Sequence, residues 1–215
     1  MRLELGSPIR CADAAFGELA DVVIDPIARR VTHLVVQPQH RHDAARLVSI
    51  DRARSTADGI TLDFSVEELE RLEPLEETAF LRVGQVPVAD PDWEVGVSEM
   101  YALPLYPGVD GMSVAVDLDA RVTWSYDRVP RGEVELRRSS AVTSADGHHL
   151  GHVDGFVVED GRIAAVVLER GHLWGRREVV IPHEAVERAE SDSIVLTLTK
   201  DEVGALEGHR VHRWF

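Results

Sequence analysis

Gly151 to Leu168, GHVDGFVVEDGRIAAVVL, reads as two strands around a tight turn. Val153 to Val158 and Ile163 to Leu168 are rich in β-branched residues, which suit a pleated, half-buried ladder. Asp160-Gly161 between them is a favoured dipeptide for a two-residue hairpin turn, whose central residues need positive φ. A second stretch, Gly17 to Val36, GELADVVIDPIARRVTHLVV, has the same form. Leu19 to Ile24 and Val31 to Val36 are its strands, and Asp25-Pro26 opens the turn, since proline presets φ at the second turn position.

The likeness extends beyond the hairpins. Ile9 to Cys11 precedes the first and Val142 to Ser144 the second, with turns at Asp13 to Ala15 and at Asp146-Gly147. Polar loops follow both hairpins, Gln37 to Arg46 and Glu169 to Arg177. Then come short strands, Leu47 to Ile50 and Ile60 to Phe64 in one copy, Val179 to Ile181 and Ile194 to Leu198 in the other. Each copy closes on a helix start. Ser65-Val66-Glu67-Glu68 and Thr199-Lys200-Asp201-Glu202 are capping boxes, followed by apolar residues at helical spacing. Self-similarity of this order predicts one β-rich unit present twice. Short strands separated by turns predict small barrels.

In this order the features resemble the PRC-barrel family. The resemblance rests on Gly17 with Asp21-Val22-Val23-Ile24-Asp25-Pro26, on Val31 to Val36, and on Arg46-Leu47-Val48. In the second copy it rests on Asp146-Gly147, Gly151, Val153, Gly155, His172 to Val179 and Ile181-Pro182. The family includes the cytoplasmic domain of the photosynthetic reaction-centre H subunit and the C-terminal domain of the RimM-type ribosome maturation factor. The resemblance implies two small antiparallel PRC-type β-barrels, each followed by a short helix, used as interaction modules rather than enzymes. The expected organisation is a first unit over 1–81, a connecting segment over 82–132 and a second unit over 133–215.

The connecting segment is broken by Pro87, Pro91, Pro104, Pro107 and Pro130, yet it is rich in aromatics. Trp93, Tyr101, Tyr106, Trp124 and Tyr126 are five of the chain's seven Trp and Tyr residues. Val114 to Val116 and Val122 to Tyr126 read as strands, with Val122, Trp124 and Tyr126 on one face. An aromatic-rich surface of this kind suits a protein partner or a second subunit. The loop Arg170, Gly171, His172, Leu173, Trp174, Gly175, Arg176 and Arg177 is the one local positive patch and a second candidate contact.

Composition narrows the chemistry. The net charge of −15 is spread as −6 over 1–81, −4 over 82–132 and −5 over 133–215. An evenly acidic surface repels phosphate backbones, so direct nucleic-acid binding is not expected. No apolar run reaches membrane-spanning length, and a signal-peptide core is absent from the first residues, so a cytoplasmic location is expected. The single cysteine, Cys11, excludes an internal disulfide. Ten histidines include His40, His42, His148, His149, His152, His172, His209 and His212, but none sits at a metal-ligand spacing with an acid. No nucleophile elbow or phosphate-cradling glycine loop is present. The expectation is a bacterial, non-catalytic scaffold without cofactor or metal, able to form a homodimer through exposed strand edges and aromatics. A ribosome-associated factor acting through protein contacts, and a small-ligand or enzymatic site in a cleft between the barrels, are the rival readings.

Overall fold

A computed structural model describes residues 1–38, 41, 44–56, 58–82, 93–101, 121–170, 177–190, 193–206 and 208–210. The first half runs β1 (Arg2–Glu4), β2 (Pro8–Arg10), β3 (Ala15–Asp25), β4 (Arg30–Pro38), β5 (Arg46–Ser49), β6 (Ala53–Thr56), β7 (Gly59–Leu62) and α1 (Val66–Glu70). Three strands follow: β8 (Glu76–Arg82), β9 (Trp93–Tyr101) and β10 (Arg121–Pro130). The second half runs β11 (Val134–Arg137), β12 (Ala141–Thr143), β13 (His149–Glu159), β14 (Arg162–Arg170), β15 (Arg177–Pro182), β16 (Val186–Glu190), β17 (Ser193–Leu196), α2 (Lys200–Ala205) and β18 (Gly208–Arg210).

Among the described residues the structure is mainly β, with two short α-helices. There, fifteen strands form one sheet whose main path is β16-β17-β12-β13-β14-β4-β3-β2-β7-β6, and β8-β10-β9 form a separate sheet. The long path does not close on itself, since β6 and β16 are its two ends. Read from either end, the path carries the same pairings. β2 is antiparallel to β3 and parallel to β7, and β12 is antiparallel to β13 and parallel to β17. The halves meet at the register pair Arg30 and Arg162.

Two strands cross between the halves. β1 pairs with β13, and β11 pairs with β3. Gly155 makes the first crossing possible: a Cβ there would collide with the carbonyl oxygen of Leu3. One hydrophobic cluster joins Leu3, Leu5, Leu19 and Leu34 to Leu136, Phe156, Leu168 and Ile181. β3 is buried on both faces, because Val23 and Val35 pack with Ala45, Leu75 and Val129 in a smaller cluster on its far side. This explains a near-continuous apolar run where a one-sided sheet would alternate.

The helix starts are capping boxes in both places. Ser65 and Thr199 accept from the amides of Glu68 and Glu202, whose carboxylates reach back to the cap amides. A further bond recurs. Asp13 Oδ1 accepts from Val66 N at 3.0 Å, and Asp146 Oδ1 from Lys200 N at 3.1 Å.

Candidate functional site

The two hairpin turns differ. Between β13 and β14, Asp160 and Gly161 take φ of 49° and 74°, the two-residue turn with both centres left-handed. Between β3 and β4 the turn holds four residues, Pro26 to Arg29. Asp25 Oδ1 accepts from the amides of Ile27 at 2.9 Å and Ala28 at 2.8 Å, and Arg29 then takes a left-handed φ of 54°. A β-carbon makes that conformation unfavourable, so the surrounding turn must hold it. The longer turn carries Ile27, which is 92% exposed.

Beneath this turn lies a groove of about 240 Å³. Its floor is apolar: Ile24, Leu136, Phe156, Ile163, Val166 and Ile194. The rest of the lining is Pro26, Ile27 and Arg29 from the first half and His183 and Val186 to Ala189 from the second. Both halves therefore build it. Of the four polar lining residues, His183 Nδ1 lies 3.2 Å from Glu184 and Arg188 pairs with Glu190 at 3.1 Å. Arg29 and Glu187, both exposed and one from each half, form no ion pair among the described residues.

Charged groups also fix the crossing strands. Arg2 on β1 binds Glu178 on β15 and pairs with Glu4 at 2.9 Å. Asp154, 1% exposed, is approached by Arg138 at 3.9 Å. On β11, Glu135 is buried and pairs with Arg137 at 3.1 Å. Close by, Glu133 accepts from Thr32 Oγ1 at 2.5 Å and lies 3.4 Å from His33 Nδ1. Burial, with the charge of Asp13, pushes the Cys11 thiol up to about 11. Such a thiol is a poor nucleophile at neutral pH.

The aromatic candidates are divided by the register. Trp93 and Tyr101 are the two ends of β9, opposite Pro130 and Thr123 of β10. Trp124 stands between Ala79 and Met100, and Tyr126 between Glu77 and Val97. Arg170 and Arg177 are register partners where β14 and β15 meet their connecting loop. Tyr106, His172, Trp174 and Arg176 lie outside the described residues, as do His40, His42, His212 and the strand expected at Val114 to Val116. Of the other histidines, His149 and His152 meet edge to face at 5.0 Å. Among the described residues, no group of three His, Cys, Asp or Glu side chains is placed to hold a metal ion.

Residues 134–203 match the PRC-barrel domain family. The PRC-barrel match runs from the first residue of β11 into α2, so it includes the strand that pairs outside its own half. No curated protein matches the chain. Sequence reading missed the groove residues Ile27, Arg29, Glu187 and Arg188. One signal was available: the second hairpin turns on two residues, whereas four separate Asp25 from Arg30.

Proposed function

We propose that the chain is built from two PRC-type barrels in tandem, the first over residues 1–81, and acts as a non-catalytic protein–protein interaction scaffold. The repeated pairing order supports the two-unit reading, together with the helix cap and the Asp13 and Asp146 anchors found in both halves. The observation that carries the scaffold role is the open sheet. Its two terminal strands, β6 and β16, have one ladder partner each among the described residues, so each keeps an outer edge of backbone donors and acceptors. The aromatics of the 82–132 segment and the arginines between Arg170 and Arg177 are the further candidate contacts.

Affinity capture of the tagged chain from lysate of its own host, with and without nuclease, tests this reading. One nuclease-resistant protein partner at comparable abundance is expected. Recovery of the bait alone would contradict a stable scaffold, and loss of the partner on nuclease treatment would favour a nucleic-acid bridge. A second reading, small-ligand binding, is favoured by the groove below the β3–β4 turn.

A further inference from the structure

The halves share the same strand pairings, so a local departure from that likeness marks something one half has gained. The departure that builds a cavity is the β3–β4 turn. It is two residues longer than its counterpart, it carries Ile27, which is 92% exposed, and it lines the apolar groove.

The groove's size and charge limit what it can take. At about 240 Å³ it is smaller than the cavities of roughly 300–1,000 Å³ that hold drug-sized ligands. Its floor accepts one branched or aromatic side chain. Its lining carries one exposed positive and one exposed negative group, one from each half, Arg29 and Glu187, while Arg188 pairs with Glu190 and His183 Nδ1 lies 3.2 Å from Glu184. A simple anion would be repelled by Glu187, and a simple cation by Arg29. A ligand with both charges on one carbon, and an apolar group beside them, satisfies all three surfaces.

We propose that this groove binds a free apolar α-amino acid as its zwitterion. The α-carboxylate meets the Arg29 guanidinium, whose planar fork matches two carboxylate oxygens. The α-ammonium meets Glu187, and the side chain rests on Phe156, Val166 and Ile194. Both lip charges are exposed, which weakens each contact by solvent screening, so the dissociation constant is on the order of 1 mM. The site does not depend on the scaffold role: a captured partner and a bound amino acid are read by separate experiments.

The test is an NMR titration of the ¹⁵N-labelled full chain with L-leucine. Shifts confined to residues 24–29, 183–189 and the apolar lining positions Leu136, Phe156, Ile163, Val166 and Ile194 are expected. N-acetyl-L-leucine lacks the positive charge and L-leucinamide the negative one, and each should bind about tenfold more weakly. R29A and E187A should each reduce affinity by a similar factor while keeping the dispersed spectrum of the folded chain. The proposal is overturned by an unchanged spectrum at about 10 mM L-leucine. It is equally overturned by blocked analogues binding as well as leucine, which would point to an apolar peptide instead, or by shifts that both variants leave unaltered.

Discussion

Gly155 stands where two backbones approach closely, with Leu3 of the crossing strand against it. Gly155→Ala must push β1 away from β13, because the obstructing atom is a backbone oxygen that no rotamer change can move. The expected loss is about 2–3 kcal/mol of unfolding free energy in urea titration, at the upper end for a single substitution. The capping residues act differently. Thr199→Ala removes an acceptor for the Glu202 amide, and about 1 kcal/mol is expected from the same measurement. Glu68 and Glu202 are held below the usual glutamate range by hydrogen bonds from the backbone and then the side chain of Ser65 and Thr199. A depressed carboxylate stabilises the fold above its unfolded value near ~4.3 and stops doing so as pH falls through the lower folded value. Stability should therefore decline below about pH 4, and Glu202→Gln should flatten part of that decline. An unchanged acid limb in Glu202→Gln would remove the cap from the account.

Among the elements, helix starts and hairpins were legible because their rules are local. The capping box lies within four residues, and the Asp160-Gly161 turn within two. β1 and β11 were not legible. They are three and four residues long, show too little alternation to be read, and find their partners in the opposite half of the chain. What fixes β1 is a set of contacts with no local signal, Leu3 in the shared core and the Arg2 and Glu178 pair, 176 residues apart. Arg2→Glu should destabilise by about 1–2 kcal/mol, since Arg2 is half in water while Glu178 is nearly buried. The double variant with Glu178→Arg should recover most of that loss, and failure to recover would show that β1 is held by its backbone and Leu3 alone. The three-stranded sheet offers a separate check. Trp124 occupies the central strand, and Trp124→Ala is expected to weaken partner capture or self-association. Unchanged capture and unchanged gel-filtration behaviour would remove the aromatic face from the scaffold surface.

At the scale of the whole molecule, the order of strands and helix starts within each half could be read from residue types, whereas the way the halves combine could not. Nothing in Arg2-Leu3-Glu4 or Val134-Glu135-Leu136-Arg137 says which hairpin edge each will join. That choice is made by a shared core, in which Leu3 and Leu136 are both fully buried beside residues of the other half. The groove below the β3–β4 turn follows from the same joining, since its floor and walls come from both halves. The central claim is thus that two matched β units complete each other through exchanged leading strands. Its most direct test is to produce residues 1–132 and 133–215 as separate chains, which keeps the three-stranded sheet whole, alone and together, and record their thermal unfolding and gel-filtration mass. The exchanged strands predict that neither fragment unfolds cooperatively alone and that the mixture forms a one-to-one complex with a sharp transition. Cooperative unfolding of either isolated fragment as a monomer, with no complex on mixing, would contradict it.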